Sequence, residues 1–151
     1  MGLQSLLAEG KLRPHQTSRK EVADLLTVVR RDLADAAVTS ISDDRRFATA
    51  YNAALALATI ALHAAGYRAA GVGHHATTFQ VLPEIMGPEV QPQADYFDLC
   101  RSRRNTTDYD RAGEITNREA EELLEEAVSF RDQVLEWLRA NHSGLLRKAR
   151  R

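Results

Sequence analysis

The sequence predicts an all-α fold, an up-and-down antiparallel helical bundle of four to five helices. Apolar residues recur at the spacing of amphipathic helices over long stretches. Serine or threonine caps precede several of these stretches, and the alternating β-branched runs that are typical of strands are absent. Short connections make neighbouring long helices antiparallel, and 151 residues suffice for one domain with a hydrophobic core.

The first long helix is predicted over residues 18–38, after an N-terminal arm or short helix at residues 1–17. Ser18 and Glu21 form a capping-box pattern, in which the hydroxyl accepts from a backbone amide and the glutamate reaches back to the cap residue. An apolar stripe at helical spacing then follows: Val22, Leu25, Leu26, Val29, Leu33 and Ala36. These features predict one buried helix face.

The second helix, residues 43–65, is predicted to be the central one. Ser42 is its cap, and Asp43 and Asp44 lie in the positively polarised first turn. Its alanine-rich surface is apolar on most sides, which is typical of a helix with neighbours all round. Gly66 is predicted to end it.

Three further helices are predicted: His75 to Met86, Gln91 to Asp108, and residues 117–140. The last of them follows a second capping box, formed by Thr116 and Glu119. The bundle is therefore assigned to residues 18–140, and residues 141–151 form a basic tail.

Composition and charge exclude several classes of protein. The net charge of -1 provides no global basic field of the kind that favours nucleic acid. Cys100 is the single cysteine, which excludes an internal disulfide and indicates a reducing compartment. The most apolar run, residues 53–65, is shorter than the ~20 residues of a membrane span. We therefore expect a cytoplasmic protein with no membrane partner.

The histidines form no pattern of metal ligands in the sequence. His74 and His75 are neighbours and cannot both point comfortably at one ion from a helix, and no cysteine or carboxylate stands at ligand spacing beside them. The motif Glu-x-x-His, which marks di-iron bundles, does not occur. The sequence therefore predicts neither a metal site nor a cofactor.

The most informative segment is RSRRNTTDYD, residues 101–110. In a helix Arg104 and Asp108 lie one turn apart, as do Asn105 and Tyr109. This polar face can hold a phosphate or present an arginine to the charge of a phosphorane. The predicted residues for binding a nucleotide or RNA are Arg101, Arg103, Arg104 and Asp108. A simpler interpretation is a surface ion pair between Arg104 and Asp108, with the Tyr109 ring packed on a neighbour.

The order of these parts resembles the HEPN superfamily (higher eukaryotes and prokaryotes nucleotide-binding domain). The resemblance is carried by a leading arm, the helices EVADLLTVVRRDLADA and FATAYNAALALATIALHAAGYR, the segment GVGHHATTF, and RSRRNTTDYD followed by an amphipathic helix. HEPN domains are similar bundles that usually dimerise, and many belong to toxin–antitoxin or defence systems beside a minimal nucleotidyltransferase. The resemblance therefore implies a homodimer that binds RNA or a nucleotide and has a nucleotidyltransferase as partner protein.

Metal-independent RNases of the HEPN superfamily carry an arginine, a polar residue after it, and a histidine four to six residues beyond the arginine. Here the resemblance puts Arg104 and Asn105 in the first two catalytic positions and Tyr109 in the position of the histidine. A phenol with a pKa near ~10 is a poor general base at neutral pH compared with an imidazole near ~6.5. The sequence therefore favours binding over RNA cleavage.

Three functions stay open at this point. The first is a binding or regulatory HEPN dimer without chemistry of its own. The second is an active endoribonuclease toxin in which Arg104 stabilises the transition state and another residue, such as His63 or His74, moves the proton. The third is a structural dimer in which Arg101 and Arg104 pair with carboxylates across the interface. We expect the dimer axis near the fourth helix, with Arg104 and Tyr109 of both copies in one groove.

Overall fold

A computed structural model describes residues 2–109 and 113–146, apart from the side chains of residues 106–109. The α-helices are α1 (Leu3–Ala8), α2 (Arg19–Ala36), α3 (Asp43–Ala64), α4 (His74–Gln80), α5 (Leu82–Met86), α6 (Gln91–Tyr109) and α7 (Asn117–Asn141). The short strands are β1 (Leu12–Pro14) and β2 (Tyr67–Ala69), and 3-10 turns cover Pro88–Val90 and Ser143–Leu145. Helices α2, α3, α6 and α7 are the long ones, and they form the predicted bundle. The all-α fold class is confirmed.

Helix α3 is the central helix, as its alanine-rich pattern predicts. It packs against α2, α6 and α7. Its buried residues occupy most of its circumference: Arg46, Phe47, Ala50, Tyr51, Ala53, Ala54, Leu57, Ala58, Ile60, Ala61 and Leu62. Ser42 caps its start by accepting a hydrogen bond from Arg45 N at 3.2 Å. Gly66 follows its end with a φ of 99°, in the left-handed region that favours glycine.

Helix α3 also differs from the sequence expectation in its apolar length. The helix begins at Asp43, ten residues before the apolar run of residues 53–65, and by length and composition it is apolar enough to cross a membrane. Its most apolar window is 56% buried inside the bundle. Burial of this kind is what the central helix of a bundle requires, because neighbours cover several of its sides.

The start of α2 corrects one prediction. Ser18 Oγ does accept from Glu21 N, at 3.1 Å. The Glu21 carboxylate completes no capping box, however, because it accepts hydrogen bonds from His15 Nε2 at 2.7 Å and from Thr17 Oγ1 at 2.8 Å. The hydrogen bond from His15 is the main reason that the pKa of Glu21 is lowered. The N-terminal arm therefore supplies partners that the helix pattern alone did not indicate.

The start of α7 is as predicted. Thr116 Oγ1 accepts from Glu119 N at 3.1 Å, and Glu119 Oε1 accepts from Thr116 N at 3.1 Å, so this capping box is complete. Two residues after Glu119, Glu121 pairs with Arg46, whose side chain is only 1% exposed. Arg46 Nε also donates to the Ala36 carbonyl at 2.9 Å, so this arginine joins the end of α2 to α3 and α7.

The arm contains a strand, which the sequence analysis did not predict. β1 pairs antiparallel with β2 in the register Leu12 with Ala69, Arg13 with Arg68 and Pro14 with Tyr67. Three residues are too few to show the alternation by which strands are identified in a sequence. The arm is fixed instead by a small second core of buried side chains: Leu6, Leu12, Leu62 and Val81.

The helix predicted from His75 to Met86 is broken into α4 and α5. Val81 lies between the two helices, and Pro83 stands in the first turn of α5. Proline has no N–H to donate to the carbonyl four residues earlier, so a continuous helix would lose a hydrogen bond there. Of the predicted basic tail, residues 147–151 lie outside the described part of the chain.

Candidate phosphate-binding site

A chain of buried aromatic rings fixes the region where α3, α4 and α6 meet. Ring centroids are 6.0 Å apart for Tyr51 and Phe79, 5.8 Å for Phe79 and Phe97, and 5.1 Å for Phe97 and Phe130. All four side chains have an exposed fraction of 0%. Aromatic pairs at such distances contribute packing energy beyond their buried area. The polar residues one or two turns further along these helices are therefore held on a rigid base.

Arg104 lies two turns after Phe97 and on the same side of α6. Its Cζ atom is 5.4 Å from the centroid of the Tyr51 ring, which is the geometry of a cation–π contact. Arg104 is half-buried. The guanidinium group therefore lies against the end of the core and does not extend into bulk solvent.

Tyr51 lies beneath this guanidinium group and is fully buried. Within the described residues its hydroxyl has no hydrogen-bond partner. Burial raises the pKa of Tyr51 to about 12, although the positive charges of Arg104 and Arg101 act in the opposite direction. The residue is therefore a neutral phenol at physiological pH.

The predicted binding residues Arg101 and Arg103 form hydrogen bonds with other protein groups. Arg101 Nε donates to Asp98 Oδ1 at 2.8 Å. Arg103 donates to Glu119 Oε2 at 3.2 Å and to the Glu114 carbonyl at 3.1 Å, and the hydrogen bond with Glu119 raises its pKa. Arg103 thus connects α6 with the capping box of α7, whereas the positive charges of Arg101 and Arg104 both lower the pKa of Tyr51.

The structure describes the remaining predicted site residues only in part. Asn105 is exposed. The side chains of Asp108 and Tyr109 lie outside the described residues, so their predicted roles in binding and catalysis stay predictions. The same applies to the predicted ion pair between Arg104 and Asp108.

His75 is a member of the site that the sequence analysis did not assign to it. Burial lowers its pKa most, and the positive charges of His74, Arg104 and Arg101 lower it further. The two guanidinium groups are therefore close enough to act on the imidazole. His75 lies one turn before Phe79, and Arg101 lies one turn after Phe97, so the Phe79–Phe97 contact accounts for this proximity. We call Arg104, Arg101, Tyr51 and His75 the Arg104 cluster.

The two histidines that the sequence offered as proton carriers differ in their distance from the Arg104 cluster. His63 lies twelve residues after Tyr51, about 18 Å further along α3, and its Nδ1 atom is 2.7 Å from Glu21 Oε1. His63 therefore does not share a site with Arg104. His74 is exposed, and its ring centroid is 4.2 Å from that of His75.

The chemistry of the Arg104 cluster follows from its charges. Two guanidinium groups lie on one side of α6, and burial together with nearby positive charges lowers the pKa of the His75 imidazole, which favours its neutral form. Guanidinium groups bind phosphate oxygens through paired charge-assisted hydrogen bonds, and a neutral imidazole can accept a proton. Partial burial lowers the effective dielectric constant, which strengthens attraction for an anion.

Comparison with known families adds the decisive observation. The family model for SAV_6107-like HEPN matches residues 36–135, which are 100 of the 151 residues. The chain belongs to the SAV_6107-like HEPN family. The resemblance that the sequence indicated is thereby confirmed. No curated protein and no solved structure matches the chain.

The HEPN match covers the Arg104 cluster and leaves out the N-terminal arm. It runs from the last residue of α2 through most of α7, and it includes Tyr51, His75 and Arg104. The N-terminal arm, which contains β1, and nearly all of α2 precede the matched residues. The candidate phosphate-binding site therefore lies in the HEPN part of the chain.

Proposed function

We propose that this HEPN protein binds the phosphate groups of RNA or of a nucleotide through the Arg104 cluster. The observation that carries the proposal is the half-buried guanidinium of Arg104, held over the Tyr51 ring at 5.4 Å with Arg101 acting on the same phenol. An arginine fixed in this way loses little conformational freedom on binding, and its planar donors match phosphate oxygens. A solvated surface arginine has the same donors but loses more conformational freedom on binding.

Binding to a short labelled RNA and to nucleotides tests the proposal. Loss of one charge-assisted hydrogen-bonded contact costs about 1.5–3 kcal/mol, which corresponds to about 10- to 100-fold in affinity. We expect Arg104→Ala to weaken binding by this factor. Arg118→Ala, which removes an exposed arginine at the start of α7, is the matched control and should change affinity little. Equal affinities for wild type and Arg104→Ala would reject the proposal.

A second candidate function is RNA cleavage, and His75 is the observation that favours it. In a metal-independent cleavage the neutral imidazole takes the proton of a ribose 2′-hydroxyl, and the 2′ oxygen attacks the adjacent phosphorus. The bond from phosphorus to the 5′ oxygen breaks, and that oxygen takes a proton from the imidazolium or from water. The products are a 2′,3′-cyclic phosphate and a 5′-hydroxyl. Arg104 would stabilise the charge of the phosphorane.

Incubation of RNA with the purified protein in the presence of EDTA separates cleavage from binding. If His75 is the base, cleavage by wild type should be lost in both His75→Asn and Arg104→Ala. The rate should rise with pH, with a midpoint below the usual histidine pKa, because the base acts in its neutral form and its pKa is lowered. Identical RNA patterns for wild type and both variants would leave binding alone.

We also propose that the protein acts as a homodimer in a toxin–antitoxin or defence-type system, with a nucleotidyltransferase as partner. Family membership supports this context. The molar mass in solution tests the dimer. Growth arrest on expression, relieved by Arg104→Ala, would support a toxin. A monomer that leaves growth unaffected would contradict this part of the proposal.

A further inference from the structure

A second cluster of ionisable side chains lies at the junction of the arm with the bundle. His15 follows β1, Glu21 lies in the first turn of α2, and His63 lies in the last turn of α3. Glu21 Oε1 is 2.7 Å from His15 Nε2 and 2.7 Å from His63 Nδ1. One ligand atom from each of the three residues lies within 4.8 Å of the others. His15 and Glu21 precede the HEPN match and His63 lies within it, and the three residues share no member with the Arg104 cluster.

The contact between His63 and Glu21 is close, but it lacks good hydrogen-bond geometry. Glu21 Oε1 already accepts from His15 and from Thr17. The Nδ1 atom of His63 is buried and lies 2.7 Å from the same oxygen, yet it is outside hydrogen-bond geometry and has no other partner within residues 2–109 and 113–146. A buried polar atom without a hydrogen bond is costly. A cation shared with the carboxylate would satisfy it.

We propose that His15, Glu21 and His63 form a binding site for a divalent transition metal ion, with Zn²⁺ as the best fit. Two imidazoles and one carboxylate, with a fourth position left for water, are a ligand set that zinc uses in proteins. Calcium and magnesium are disfavoured, because they require mainly oxygen ligands. The three ligands come from three separate elements, so a bound ion would tie the arm to α2 and α3.

The spacing and surroundings of the three ligands agree with such a site. Ligand atoms about 2.1 Å from a tetrahedral ion lie about 3.4 Å apart, so the two contacts of 2.7 Å would open slightly on binding. The Thr17 hydroxyl orients the carboxylate, which is the role of an outer-shell partner. The side chains of His15, Glu21 and His63 are 22%, 36% and 16% exposed, and a groove of about 450 Å³ beside Glu21 and His63 gives an ion access.

Titration of the metal-free 151-residue chain with Co²⁺ tests the site, because tetrahedral Co²⁺ has a visible absorption band and Zn²⁺ displaces it. We expect one ion per chain and a rise in the thermal midpoint with Zn²⁺. Both effects should be lost in His15→Gln and in Glu21→Gln. His142→Gln and His74→Gln are the matched controls, since they remove histidines outside the cluster, and they should bind as wild type does.

The outcomes separate a metal site from a cluster of hydrogen-bonded side chains. Loss of the Co²⁺ band in the two cluster variants, with helix content unchanged by circular dichroism, supports the site. If Glu21→Gln fails to fold, His15→Gln decides, because His15 lies in the arm outside the bundle. Absence of binding at micromolar metal would overturn the proposal. Binding that persists in His15→Gln, or that disappears in His74→Gln, would overturn it as well.

Discussion

Replacing Tyr51 by phenylalanine tests whether the buried hydroxyl beneath Arg104 destabilises the folded protein. The Tyr51 side chain is fully buried, and its hydroxyl lacks a hydrogen bond to any residue that the structure describes. Leaving a buried hydroxyl unsatisfied costs about 1–3 kcal/mol. A phenylalanine ring keeps the shape of the core and the cation–π contact with Arg104. We expect the free energy of unfolding at pH 7 to increase by about 1 kcal/mol in Tyr51→Phe.

The additional stability of Tyr51→Phe relative to wild type should grow in alkaline solution. Burial raises the pKa of Tyr51 to about 12 in the folded protein, against about 10 for an exposed tyrosine. Because the folded-state pKa is the higher one, the stability contributed by the neutral phenol is complete below pH ~10 and is lost as the pH rises towards ~12. At pH ~11 ionisation favours the unfolded state of the wild type by about 1.4 kcal/mol. The difference between the two proteins should therefore reach about 2.4 kcal/mol at that pH.

Urea denaturation, followed by circular dichroism, measures the stability difference between Tyr51→Phe and wild type at pH 7 and at alkaline pH. The difference between Tyr51→Phe and wild type cancels contributions that the two proteins share, including ionisation of the other tyrosines. A variant that is less stable than wild type at pH 7 would mean that the hydroxyl has a partner. A difference that stays constant from pH 7 to pH ~11 would refute the pKa argument.

Three further predictions concern stability and use the same urea assay. Glu121→Gln should lower the free energy of unfolding by about 1–2 kcal/mol, because it removes the carboxylate that pairs with the buried Arg46. The loss is smaller than for a fully buried pair, since Glu121 is 42% exposed and water can reach the site. Glu125→Gln, on an exposed position one turn further along α7, should be nearly neutral. Thr116→Ala should cost about 1 kcal/mol by breaking the capping box of α7. Phe130→Ala should cost about 3–5 kcal/mol, because the ring is completely buried against Phe97. Losses under 0.5 kcal/mol for Glu121→Gln, Thr116→Ala or Phe130→Ala would contradict the packing described above.

The bundle could be predicted from the sequence because its determinants are local. The caps at Ser42 and Thr116 and the apolar stripes of the long helices each lie within one element. The central position of α3 follows from its composition alone. The strands β1 and β2 could not be predicted, because a three-residue strand shows no period and pairs with a segment more than fifty residues away.

The candidate site could be predicted only in part, because its members come from three helices. Arg101 and Arg104 stand out in the sequence as charges at helical spacing. Tyr51 and His75 do not, since nothing in their own segments indicates that they approach α6. Arg103 has the same local pattern as Arg104 and yet binds Glu119, because α7 begins beside it. Packing between segments that are distant in sequence decides which arginine lies over Tyr51, and no local pattern predicts this.

The salt dependence of RNA binding tests the central claim most directly, because it counts the phosphate contacts that the protein makes. Each cation that contacts a phosphate adds about 0.7–0.9 to the slope of log affinity against log salt concentration. Wild type and Arg118→Ala should give the same slope, and Arg104→Ala should give a slope that is smaller by about one. Superimposable slopes for wild type and Arg104→Ala, at equal affinity, would show that the guanidinium at position 104 binds no phosphate.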